Sequence, residues 1–114
     1  MKYSILTSLS FVLFMGCSST PQPERPHAVL QKTANPTYPI HAVRNRIEGY
    51  VQMSFDISEH GEPVNIHVLK SVPEHIFDKA AIKALSNWKY APKVENGVAV
   101  MQKNLQVQLD FKLG

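Results

Sequence analysis

Three stretches of this sequence alternate apolar and polar residues one by one, and a stripe at helical spacing separates the second from the third. Val51, Met53, Phe55 and Ile57 alternate with Gln52, Ser54 and Asp56. Val64, Ile66 and Val68 alternate with Asn65, His67 and Leu69, and Leu105, Val107, Leu109 and Phe111 alternate with Gln106, Gln108, Asp110 and Lys112. A period of two turns every second side chain to one face, so each stretch predicts a half-buried strand. Glu59-His60-Gly61-Glu62 between the first two reads as a turn, with Gly61 supplying a positive φ, which makes them a hairpin. Before the third strand, Phe77, Ala80, Ala81, Ala84, Leu85 and Trp88 recur at spacings of three and four. That spacing predicts a long helix opening at Pro73-Glu74, with Lys79, Lys83 and Lys89 off its apolar stripe. Pro92 forbids its continuation, and Asn96-Gly97 is a tight-turn dipeptide. Upstream, Tyr38-Pro39 through Arg46 predicts a short helix with Pro39 in its first turn and Gly49 beyond its end.

An apolar helical stripe needs a surface to cover, and one face of a three-stranded antiparallel sheet supplies it. The expected fold is therefore α+β, one long helix on that sheet with a short N-terminal helix. A right-handed crossover leads from the second strand to the third with the first between them, so the strand order is 2-1-3. The third strand then lies on an edge with unpaired backbone groups. At 114 residues the chain has room for one such domain, with one modest core.

The first residues obey a different pattern. Lys2 precedes an apolar stretch from Ile5 to Met15, followed by Gly16, Cys17 and the polar run Ser18-Ser19-Thr20. A short charge, a short apolar region and a small residue before the cut are the layout of an export signal. A spanning helix needs about 20 apolar residues, more than this segment offers, although an uncleaved anchor is the alternative. Cys17 is the only cysteine of the chain and excludes an internal disulfide. Its place directly after Gly16 resembles a bacterial lipoprotein signal, which implies cleavage of residues 1–16 and lipidation of Cys17. Ser18 in the next position implies, by the same resemblance, transport to the outer membrane. A plain signal peptide with an incidental cysteine is the bland alternative. Residues 17–33, polar and broken by Pro21, Pro23 and Pro26, predict a flexible tether reaching ~50 Å at most.

The folded part, expected over 34–114, resembles the TonB C-terminal domain family. The resemblance rests on Asn35-Pro36-Thr37-Tyr38-Pro39, Ile47-Glu48-Gly49-Tyr50-Val51, Phe55-Asp56-Ile57 with Gly61 following, Phe77-Asp78 with Ala80-Ala81-Ile82, and Trp88-Lys89-Tyr90-Ala91-Pro92 before Asn96-Gly97. It implies a periplasmic domain that grips an extended segment of an outer-membrane transporter or another envelope protein by adding it beside the last strand. On this sequence the implied partner-binding residues are Gln106, Val107, Gln108, Leu109 and Asp110. Asn35, Thr37 and Tyr38 correspond to the family's second contact region. Four or five strand hydrogen bonds of ~0.5–1.5 kcal/mol each offset little more than the ordering cost, so capture is expected to be weak and reversible. Family transducers also carry an inner-membrane helix that docks on a motor complex and a long proline-rich arm. A ~50 Å tether does not bridge two membranes. The expectation is a lipid-tethered accessory to TonB-dependent transport on the periplasmic face of the outer membrane, working with a TonB-type motor complex. The alternative is a short transducer held in the inner membrane.

Other chemistries find little support. The net charge of +3 is scattered, with no basic stripe among aromatics, so nucleic acid is not an expected partner. His27, His41, His60, His67 and His75 form no ligand-spaced pair, so no metal or other cofactor is expected. No nucleophile, base and orienting acid are legible together, no phosphate loop is present, and catalysis is not expected. Glu48 and Asp56 suit backbone capping and a polar face. Trp88 at helical spacing suits the core better than a ligand platform. The edge strand also admits a blander role, in which Lys103, Asp110 and Lys112 block aggregation, or a homodimer forms through it.

Overall fold

A computed structural model describes residues 21–114. The signal segment expected over 1–16 and the expected lipidation of Cys17 lie outside the described residues. The chain runs β1 (Val29–Lys32), α1 (Ile40–Arg44), β2 (Gly49–Ile57), β3 (Pro63–Val72), α2 (Asp78–Ser86), β4 (Lys89–Ala91), β5 (Lys93–Glu95), β6 (Val98–Val100) and β7 (Gln102–Phe111). Among the described residues no helix is long and apolar enough to cross a membrane.

The three alternating stretches lie in one antiparallel sheet of order β3-β2-β7. β2 is its centre, with Met53 opposite Val68 on one side and Val107 on the other. Its inward row sets the core: Val51, Met53 and Ile57 are fully buried and Phe55 is 2% exposed. Each such side chain contributes roughly 1.5–3 kcal/mol by leaving water. Ala81 and Leu85 of α2 and Phe77 just before it cover that row, and Phe111 closes it at the end of β7. The short helix α1 adds only Ala42 to the core, because Ile40 and Val43 point outward. Phe77 and Phe111 stack with centroids 4.3 Å apart, and Tyr38 meets both edge-on at 5.5 and 5.8 Å.

Asp56 sits where both neighbours of β2 bulge. The register slips between Ser54 and Asp56 against β3 and between Phe55 and Ile57 against β7, and Asn65 and Asn104 there adopt left-handed φ of 52° and 63°. Asp56 satisfies groups that the slips release, accepting the Asn104 N–H at 3.0 Å and the Asn65 amide at 2.9 Å. These bonds, with Lys103 and His67 nearby, hold its carboxyl below the usual carboxylate range against the opposing effect of partial burial. A lowered folded-state pKa means that the ionised group stabilises the fold above its unfolded pKa of about 4, and that this stabilisation fades as pH falls through the folded value. Urea midpoints of the parent and an Asp56→Asn variant are therefore expected to differ at neutral pH and converge in acid. A pH-independent gap would contradict that role.

Three expectations need correction. The long helix opening at Pro73-Glu74 is a nine-residue helix that begins at Asp78. His75 has φ of 64°, a left-handed residue that no right-handed helix passes through, and Asn87 ends the helix before Trp88. The second strand runs on past Leu69 to Val72, with a bulge that skips Leu69 in the pairing and leaves it exposed. The tether expected over 17–33 is docked in much of its length. β1 pairs with β4, Arg25 bridges to Val94, and the Gln22 N–H donates to the Gly97 carbonyl at 3.2 Å. Its prolines leave enough free N–H groups for those bonds, and the domain presents partners for them. β5 and β6 form a further hairpin on Asn96-Gly97, whose φ of 53° and 77° give the doubly left-handed turn that suits a twisted ribbon.

Candidate docking edge

β7 is bonded to β2 along one side, and no other described strand pairs with it. Alternate backbone N–H and C=O groups of an edge strand point away from the sheet and are open to another strand. The side chains show the same incompleteness. Leu105, Val107 and Leu109 pack on the core from the inward face of β7 yet remain half-exposed, whereas their counterparts on β2 are buried. One further strand laid beside β7 would cover that row.

The outward face of the edge is ordered by its own hydrogen bonds. Gln52 donates its amide to the Gln108 carbonyl oxygen at 2.9 Å, and Gln108 donates to Asp110 at 2.8 Å. Gln106 is exposed beside them, and Gln52, Gln106, Val107 and Gln108 line a shallow cleft of about 210 Å³. The structure thus brings Gln106, Val107, Gln108, Leu109 and Asp110 together as one continuous edge. β3 is the other edge of the sheet; two bulges interrupt its pairing with β2, and a cleft of about 660 Å³ runs from Val68 to Val72 toward Asp78.

The second group of predicted residues divides. Tyr38 belongs to the aromatic cluster, and its hydroxyl donates to the Ile47 carbonyl. Partial burial first, and the negative charge of Glu48 second, push its phenol pKa up, so it remains a donor. Through Phe111 it sits at the C-terminal end of β7. Asn35 and Thr37 are exposed and line a separate small cleft of about 80 Å³ against Ala80 and Lys83 of α2 and Asn87 at its C-cap. The structure therefore places Tyr38 as the anchor of the segment and its two polar neighbours toward the helix.

Trp88 fixes the same segment from the other side, its indole donating to the Ala34 carbonyl at 3.1 Å while its ring packs on the core. The sequence pattern gives Trp88 to the helix stripe and misses this clamp, whose acceptor lies 54 residues away. Glu48 accepts the Leu113 N–H at 3.3 Å, a capping role just past the end of β7. The described histidines have local partners at most: His41 with Asn45, His60 with Glu59, His75 with Asp78. Among the described residues no three His, Cys, Asp or Glu side chains cluster closely enough to hold an ion.

Comparison with known proteins places this arrangement among relatives. The family model described as the Gram-negative bacterial TonB protein C-terminal matches residues 34–113. Protein TonB of Yersinia enterocolitica is 30% identical over 81 residues, which is 71% of this chain and 29% of that protein. Protein TonB of Pseudomonas aeruginosa is 37% identical over 68 residues, 60% of this chain and 20% of that protein. The chain thus spans less than a third of the length of these relatives. The solution structure of the Pseudomonas aeruginosa TonB C-terminal domain superposes with a TM-score of 0.67 at 30% identity, covering 78% of this chain and 89% of that one.

Proposed function

The chain belongs to the TonB C-terminal family of Gram-negative bacteria, and from that premise we propose that it captures an extended segment of an envelope protein by strand addition to β7. The observation that carries the reading is the unpaired edge with its half-exposed inward row of Leu105, Val107 and Leu109. The partner class is an outer-membrane TonB-dependent receptor or another envelope protein with an unstructured segment on the periplasmic side. Gln106, Gln108 and Asp110 read the segment's outward side chains, Val107 and Leu109 its inward ones. Tyr38 holds Asn35 and Thr37 in place as a secondary contact. Net gains of ~0.5–1.5 kcal/mol per backbone bond, largely offset by the cost of ordering the peptide, make capture weak and reversible. Weak capture suits a partner that must be released.

Acylation of Cys17 after removal of 1–16 would hold the domain on the periplasmic side of the outer membrane. There it would act as an accessory to transport driven by a TonB-type motor complex. A short transducer kept in the inner membrane by an uncleaved N-terminal segment is the competing arrangement.

A photo-crosslinking residue placed in cells at Gln106 or Gln108, and for comparison at Lys70 on β3, tests the reading. Crosslinks from the β7 positions to an outer-membrane receptor, absent from Lys70, are expected. Crosslinks from β7 only to a second copy of the chain would make the edge a dimer interface. Crosslinks from β3 alone would move the site to the other edge.

A further inference from the structure

The leash between Cys17 and the domain is far shorter than its composition suggests, because the domain binds it from Gln22 onward. The Gln22 N–H donates to the Gly97 carbonyl, and the Gly97 N–H donates to the Glu24 carboxylate, each at 3.2 Å. Arg25 and Val94 exchange backbone bonds of 3.1 and 2.8 Å, and the Arg25 guanidinium donates to the Pro92 carbonyl at 2.7 Å. Beyond them the Ala28 N–H donates to the Gln102 side chain at 2.7 Å, and β1 pairs with β4. From Cys17 to Gln22 five residues span at most ~18 Å even when fully extended. The point they reach is the Asn96-Gly97 turn of the β5–β6 hairpin.

We propose that this hairpin is a membrane-contact surface, resting on the phospholipid headgroups of the same membrane that holds Cys17. The proposal rests on the reading of Cys17 as acylated. One apolar side chain already stands outward at the turn without a described partner, Val98, directly after it and 61% exposed; a second, Met101, is 38% exposed past the far end of β6. Neither would hold a protein on lipid alone. A covalent leash of ~18 Å confines the hairpin to a thin layer over the bilayer, where its effective concentration at the surface is high and weak contacts suffice. An interface-lying apolar side chain enters the headgroup boundary by roughly 5–10 Å, within reach of an exposed valine beside a tight turn.

The geometry has a consequence for capture. β7 begins at Gln102, next to Met101, and runs away from the hairpin for ten residues, about 33 Å at strand rise. The docking edge is then presented to segments that emerge within a domain's length of that same bilayer. The domain is apposed to one membrane and does not swing on a long arm.

The test uses the full acylated chain, reconstituted in vesicles of phosphatidylethanolamine and phosphatidylglycerol that contain a shallow spin-labelled lipid. Acylation blocks Cys17, so Val98→Cys and Lys70→Cys each offer one free thiol for an environment-sensitive fluorophore. The probe at position 98 is expected to shift to the blue and lose about half or more of its emission to the spin label, as a group ~5–10 Å inside the interface does. The probe at 70 is expected to remain water-like. Acylated protein with an unquenched probe at 98, or equal quenching at 70, would overturn the membrane-contact surface alone. A Cys17 that carries no acyl chain, shown by mass and by labelling of the unsubstituted protein, would overturn the anchored reading and this proposal with it.

Discussion

Replacing Phe77 by alanine is expected to lower the stability of the domain by about 3–5 kcal/mol, the usual cost of removing a buried aromatic ring. Phe77 is fully buried, stacks on Phe111 at 4.3 Å and takes the edge of Tyr38 at 5.5 Å. The ring joins the start of α2, the end of β7 and the Tyr38 segment, so no single element can collapse into the cavity it would leave. A small domain has roughly 5–15 kcal/mol in all, and the variant would retain only a fraction of it. Urea unfolding followed by circular dichroism checks this, with a lower midpoint at an unchanged slope. Tyr38→Phe removes only the hydroxyl bond to Ile47 and is expected to cost about 0.5–1.5 kcal/mol. A Phe77→Ala loss no larger than that of Tyr38→Phe would mean that the cluster is not the joint described here.

Gly61→Ala is expected to cost about 2–4 kcal/mol, because two independent requirements meet at that residue. Its φ of 79° lies in the left-handed region, where a side chain costs ~1–2 kcal/mol. Its backbone is also pressed against β4: a Cβ would lie 1.9 Å from the Tyr90 carbonyl oxygen, while the Gly61 carbonyl accepts the Tyr90 N–H at 2.9 Å. A Cβ can be accommodated only by pushing β4 off the hairpin and losing that bond. Gly114→Ala, with nothing within 4 Å of the added carbon, is the matching control and is expected to change nothing. Thermal or urea midpoints of the two variants measure the difference directly.

The sheet was legible because its inward rows repeat over long stretches. Val51 to Ile57 and Leu105 to Phe111 can satisfy a period of two only as strands, and the stripe from Ala80 to Leu85 only as a helix. The edge nature of β7 followed from the connection between them. What escaped the pattern is short or held by distant partners. β1 and β4 are four and three residues long, too brief to show a period, and each exists because the other is there. Residues 21–28 read as tether because three prolines and polar side chains carry no period. Their order comes from Gly97, Val94, Pro92 and Gln102, some 70 residues away. The pattern misplaces the helix start because Pro73-Glu74 has the composition of a helix N-terminus, whereas the left-handed His75 that prevents it has no signature in sequence. Of the candidate site, the β7 residues follow from the alternation and its place at the edge. Asn35 and Thr37 came from resemblance alone, and the Trp88–Ala34 clamp that places them depends on tertiary packing.

Capture by strand addition is tested most directly by amide hydrogen exchange of the isotope-labelled protein, alone and with a peptide copy of whichever receptor segment crosslinks to Gln106 or Gln108. Strand addition requires new protection at alternate residues between Leu105 and Asp110, the ones whose N–H groups point away from β2, with β3 unchanged. Binding without protection on β7, or with protection confined to β3 or to the cleft around Asn35 and Thr37, would contradict it.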